Sequence, residues 1–158
     1  MLVTVGLLAD SPASMQAVAD MRWLEWGHAP ESEDPAWWLA ITAGEAGRDH
    51  LPVTFVAHDA DGRVLGAVGL DRYDLDERHE NTPWVTGLIV RRDHRGAGVG
   101  RSLMQHLERW AAEQEVAVAW VGTDLAEAFY LRCGWTFLET FTRSHGEEIS
   151  VLSKQLLP

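Results

Sequence analysis

The chain reads as an α/β protein with a mixed, mostly antiparallel sheet flanked by helices. Three observations predict this. Short β-rich runs (Val53 to His58, Val64 to Leu70, Val85 to Val90) recur between turn signals. Two stretches carry apolar residues at helical spacing, around Met15 to Trp26 and Leu103 to Ala111. A strand also runs straight through a glycine-rich turn into a helix at residues 85 to 114, the connection that parallel strands require.

Taken in order, Leu2 to Leu8 reads as a first strand. Ser11 and Pro12 read as the N-cap and first position of a helix whose apolar side holds Met15, Val18, Ala19, Met21, Trp23 and Trp26, stopped by Gly27. Asp34-Pro35 opens a second helix with Trp37, Trp38 and Ile41, ending among Gly44 to Gly47. Val53 to His58 and Val64 to Leu70 form a hairpin through Asp59-Ala60-Asp61-Gly62. Residues 71 to 82 are polar and acidic, a loop leading through Pro83 to the central strand. Gly87 inside that strand marks a bulge or a close backbone approach. A helix from Gly98 to Gln114 follows, then a strand from Val116 to Val121, a parallel neighbour of the central one. Leu125 to Cys133 is a helix with Gly134 just past its end. Trp135 to Phe141 and Ile149 to Lys154 close the sheet as an antiparallel pair.

At 158 residues a single domain spanning 1–158 is expected, with room for a proper core. The net charge of −11 argues against nucleic acid or an anionic membrane as partner. Against that background the basic cluster Arg91, Arg92, Arg95 and Arg101 stands out. Cys133 is the sole cysteine, so no intrachain disulfide forms and a reducing cytoplasm fits. The N-terminal apolar run has no basic leader and no small-residue cleavage site, so it does not read as a signal peptide. The seven histidines show no metal-binding spacing, and no metal is expected.

The stretch Arg95-Gly96-Ala97-Gly98-Val99-Gly100-Arg101 carries the chemistry. Glycines let backbone N–H groups approach a ligand closely, and the helix that follows adds its partial positive charge, so an anion site is predicted. A Walker A loop does not fit, because the first glycine position is Arg95 and the lysine is missing. A dinucleotide fingerprint does not fit either, since the spacing is G-x-G-x-G.

Arg95-x-x-Gly98-x-Gly100 after Leu88-Ile89-Val90 resembles the acetyl-CoA pyrophosphate loop of the GNAT acetyltransferase superfamily. Ala126 to Trp135 is similar to the same family's A-x-x-φ-Tyr-x-x-x-Gly-aromatic signature. The resemblance covers about residues 84 to 141. It implies a GNAT-like sheet with splayed central parallel strands and acetyl-CoA as co-substrate. Residues Arg95 to Arg101 would then hold the diphosphate. Backbone at Leu88 and Val90 would pair with pantetheine, and an N–H near Leu88 or Ile89 would face the thioester oxygen. Thr123 and Phe129 would complete the cofactor site; many members have an asparagine where Thr123 stands.

By the same resemblance Tyr130 is the general acid; an unperturbed phenol is protonated at neutral pH. Cys133, near a helix end with no histidine close in sequence, reads as packing rather than as a nucleophile. Several GNAT enzymes carry a glutamate on the central strand, but residues 84 to 90 hold no carboxylate. Glu80, His79, Asp71, Asp124 or a water chain are the alternatives for the base. The acceptor, a primary amine of a small molecule or peptide, is expected among Trp26, Trp37, Asp71 and Trp84, where aromatic faces and carboxylates attract an ammonium group. Those tryptophans are equally readable as core. A non-catalytic acyl-CoA-binding regulatory domain, or a nucleotide-binding protein using the same loop, are the competing readings. The oligomeric state is not legible, a homodimer being one option.

Overall fold

The computed structural model describes residues 2–158. Seven strands form one sheet: β1 (Thr4–Leu7), β2 (Val53–His58), β3 (Val64–Asp71), β4 (Trp84–Val90), β5 (Val118–Thr123), β6 (Thr136–Thr142) and β7 (Glu148–Gln155), in the order β1-β2-β3-β4-β5-β7-β6. Four helices accompany them: α1 (Met15–Trp26), α2 (Pro35–Gly44), α3 (Val99–Glu113) and α4 (Glu127–Arg132). Pairing is antiparallel in β1–β2, β2–β3, β5–β7 and β6–β7, and parallel between β4 and β5. The expected mixed, mostly antiparallel sheet is thus the one that forms.

Local sequence accounts for most boundaries. Asp34 caps α2, its Oδ1 accepting from the Ala36 N–H at 3.0 Å, with Pro35 at the first helical position. In the β2–β3 hairpin, Asp59 Oδ1 accepts from the N–H groups of Asp61 and Arg63, both at 2.9 Å. Ser11 behaves differently from expectation. Its side chain makes no cap bond, Pro12–Ser14 is a 3₁₀ turn, and α1 begins only at Met15. The hydroxyl of Ser14 instead meets His58 Nε2 at 2.8 Å.

The chain divides into two compact units. The first comprises residues up to Leu70 together with Gly87–Leu107. Its core holds Leu8, Val18, Met21, Val56, Val64, Ala67 and Ile89. The second comprises Asp71–Thr86 and Glu108–Pro158. There Leu75, Trp84, Ile149 and Val151 are buried together, with Trp120 and Phe141 packed against them. Strand β4 contributes to both: its first three residues belong to the second unit and its last four to the first.

Candidate active site

The first unit carries the glycine loop. A 3₁₀ turn at Arg92–His94 leads into it, and α3 opens directly after Gly98. Gly96 and Gly98 have φ of +79° and +87°, a backbone region that other L-residues rarely adopt. Nothing lies within 4 Å of where a Cβ on either would stand, so the space above both is clear. The first-turn N–H groups of a helix have no intrahelical partner and point toward such a space. With 15 residues behind them, they carry a full helix-terminal partial charge.

The arginines of the loop are already ordered. Arg95 Nε donates to the Val90 carbonyl at 2.9 Å, and its Nη2 meets Glu25 Oε2 at 3.4 Å. Arg92 reaches the same Glu25 oxygen at 3.8 Å. Arg91 is turned inward, its Nε donating to the Val64 carbonyl.

Upstream of the loop, the parallel ladder between β4 and β5 runs over two pairs, Trp84 with Trp120 and Val85 with Val121. Gly87 follows with φ +59°, so the backbone leaves the regular extended course at the glycine inside the strand. Beyond it Ile89 is buried, while Leu88 and Val90, on the opposite face, are partly exposed.

The second unit holds Tyr130, 4% exposed on α4. Its ring packs edge-on against Phe129 at 5.1 Å and Trp135 at 5.9 Å between centroids. Burial pushes the phenol well above its ordinary pKa, with Cys133 and Asp74 adding to the shift. The group therefore stays protonated across the physiological range. Gly134, φ +87°, ends the helix as expected. Thr123 Oγ1 accepts from the Ala126 N–H at 2.9 Å, so this side chain closes its own turn.

The residues expected around the acceptor fall in both units. Trp26 and Trp37 are 38% and 43% exposed. They join Trp38 in an aromatic cluster of the first unit, with centroids 6.2 Å apart for Trp26–Trp38 and 4.9 Å for Trp37–Trp38. Trp84 is different: it is fully buried among Leu75, Ile149 and Val151, its Nε1 donating to the Asn81 carbonyl. It belongs to the core and presents no surface to an acceptor, which corrects the expectation. Asp71 is half-buried, its Oδ1 accepting from the Arg72 N–H at 2.6 Å, and Glu80 is exposed. His79 stacks on Tyr73 at 3.8 Å. Glu77, one of the acids of this loop, is committed elsewhere. Arg143 grips it through Nε and Nη2, the Ser144 N–H donates to it, and its carboxyl is held down at about 2.

Two further residues went unnoticed in the sequence. Arg22, on α1, is 3% exposed and pairs with Glu45 at the end of α2 at 2.7 Å. A signal for Arg22 was present: it follows Met15 by seven residues, Val18 by four and Ala19 by three, which places it on the apolar stripe.

Among the described residues no group of three His, Cys, Asp or Glu is arranged to hold a metal ion, and no helix is long and apolar enough to cross a membrane.

A central strand with a glycine at positive φ leads through a glycine turn into a 15-residue helix, within a mixed, mostly antiparallel α/β sheet. The acetyltransferase (GNAT) family model matches residues 15–135, and the chain belongs to that family, whose enzymes use acetyl-CoA as acyl donor. Among solved structures it is similar to an aminoglycoside 6'-N-acetyltransferase complexed with coenzyme A, with 16% identity over 100% of this chain and 98% of that one and a TM-score of 0.77. A Salmonella typhimurium protein with its cofactor acetyl-CoA gives 17% identity over 99% and 95%, with a TM-score of 0.71. A spermidine N-acetyltransferase chimera of Vibrio cholerae gives 14% over 99% and 96%, with a TM-score of 0.74. At these identities the likeness is one of fold. No curated protein matches the sequence.

Proposed function

We propose that this chain moves an acetyl group from acetyl-CoA directly to a primary amine of a small molecule or peptide, within a ternary complex. The observation that carries the reading is the clear space above Gly96 and Gly98 at the head of α3, downstream of β4 and its positive-φ Gly87. The N–H groups of the segment from Arg95 to Arg101 receive the diphosphate. Pantetheine pairs with the backbone along Leu88, Ile89 and Val90, with Thr123 and Phe129 completing its site. The Leu88 N–H then stabilises the thioester oxygen as it gains charge.

The neutral amine attacks the carbonyl carbon, the C–N bond forms, and the C–S bond breaks. Tyr130, whose phenol is protonated at neutral pH, gives its proton to the departing sulfur. The proton lost by the amine passes to Glu80, directly or through water, with Asp71, His79 and Asp124 as the alternative acceptors. Holding both substrates together supplies much of the rate, so no covalent enzyme intermediate is required.

The acceptor side lies with Trp26 and Trp37 and the exposed acids Glu31, Glu33 and Asp34 between them in the chain, together with Asp71. Aromatic faces and carboxylates attract a cationic amine. Two of the similar structures are named for aminoglycosides and spermidine, both polyamines. We place the reaction in the cytoplasm, in keeping with the lone Cys133.

The test is a thiol-release screen with acetyl-CoA against polyamines, aminoglycosides, amino acids and peptides. Acceptor-dependent release is the expected result. CoA binding without release from any amine would favour a regulatory acyl-CoA binder instead.

A further inference from the structure

Arg22 stands where a charge is costly. It faces the core from α1 and is 3% exposed. Glu45 supplies the counter-charge, and Thr42, itself fully buried, accepts at 3.3 Å. Both partners sit on the same nitrogen, Nη1. The other edge of the guanidinium, Nε with Nη2, is turned to Gly87: these atoms lie 3.9 and 3.6 Å from where a Cβ on that glycine would stand. Nε has no hydrogen-bond partner, and no other buried side-chain nitrogen or oxygen is so left among the described residues. A buried charged donor left without an acceptor costs free energy, so the arrangement calls for an oxygen at that edge. The backbone beside it is the positive-φ glycine of β4, just past the last parallel pair.

We propose that Arg22 is a positioning residue for acyl transfer. Its Nε–Nη2 edge takes the carbonyl oxygen of Gly87 when acetyl-CoA binds, and thereby turns the Leu88 N–H toward the thioester oxygen. The inference rests on the acetyltransferase reading above and names the device that serves it. The peptide unit between Gly87 and Leu88 is planar and trans, so its C=O and N–H point to opposite sides, and fixing one fixes the other. A glycine at positive φ leaves that unit free to rotate unless something holds it. A donor that must reorient during the reaction stabilises the transition state less than one already aimed. The guanidinium also polarises the peptide it grips, which makes the N–H a stronger donor. Glu45 and Thr42 hold the guanidinium against Gly87.

The decisive variant is R22M/E45M. Replacing both members of a buried ion pair by apolar side chains often leaves stability intact, so the double variant separates positioning from packing. R22K keeps a charge but loses the planar fork. The expected result is a melting temperature near wild type for the double variant and an unchanged KM for acetyl-CoA. In both variants kcat should fall by about tenfold to a hundredfold, somewhat less than deletion of an oxyanion donor itself. The infrared carbonyl stretch of bound [1-¹³C]acetyl-CoA, lowered in the wild type, should move back toward its value in solution. A folded double variant with wild-type kcat and an unmoved carbonyl band would overturn the proposal, as would full kcat in R22K. A wild-type protein that neither binds acetyl-CoA nor releases thiol would overturn the acetyltransferase reading, and this proposal with it.

Discussion

The turn after β4 and the turn after β5 both carry the chain from a strand into a helix. The first passes through Gly96 and Gly98, has no side chain over either, and enters a helix of 15 residues. The second is closed by Thr123, whose hydroxyl accepts from the Ala126 N–H, and enters a helix of six. One turn keeps its backbone donors available to a ligand; the other uses a side chain to satisfy its own donor. Connectivity alone therefore does not make an anion site. Backbone shape and helix length do, and the short helix serves instead as a mount for the buried Tyr130.

Substitutions can break this contrast at either end. The largest effect is expected from Gly98→Glu, which sets a carboxylate in the glycine loop. Like charges a few ångströms apart near a protein surface cost about 4 kcal/mol, so CoA affinity should drop roughly a thousandfold. Calorimetry on the folded variant checks this, and unchanged affinity would move the diphosphate elsewhere. Next comes Tyr130→Phe. Fold and CoA binding should persist while kcat falls roughly a hundredfold. A variant that turns over like wild type, with chemistry rate-limiting, would make the phenol a packing group.

Thr123→Ala sharpens the comparison from the other side. Loss of its cap-like bond should cost about 1 kcal/mol of stability, read by denaturant unfolding, and its place beside pantetheine should weaken CoA binding far less than Gly98→Glu does. The smallest effect lies in the segment before β4. Arg143 holds Glu77 at about 2, against an ordinary value of 4.5. A depressed carboxyl contributes stability above its unfolded pKa and loses that contribution as pH falls through the folded one. The melting-temperature gap between wild type and Glu77→Gln should therefore be open at pH 7 and close between about 4.5 and 2. A gap independent of pH would show that the carboxylate charge contributes nothing.

Much of this was legible in the residues. The glycine spacing, the strand before it and the Tyr130 segment are local patterns, and they located the family. The mixed sheet followed from the order of the elements. What escaped was anything set by which face meets which. Trp84 begins β4, and a strand's alternation does not say which of its two faces is core, so the choice between core and acceptor wall stayed open until the fold placed it in the core. Ser11 looked like a cap, yet whether a hydroxyl bonds its own turn depends on competing partners, as Ser14 with His58 shows. That Glu77 of the acidic loop is committed to an ion pair was not legible, because its partner Arg143 is 66 residues away. Arg22 drew no notice because its counter-ion Glu45, just past the end of α2, is 23 residues away.

The double contact of Glu25 with Arg92 and Arg95 has a consequence for how the glycine loop fills. A phosphate group arriving there does not meet a bare pair of cations. It meets cations that already have an anion, and binding becomes a swap of one negative group for another. The resident carboxylate keeps the two side chains gathered near the loop, so less motion is frozen out when the exchange occurs. It also tilts selection toward guests of high charge density: a weak or singly charged anion has little advantage over Glu25, whereas a diphosphate, with more charge and more oxygens, displaces it. With the diphosphate bound where we propose, the same residue that lowers the absolute attraction of the loop would act as its threshold against the small anions of its surroundings.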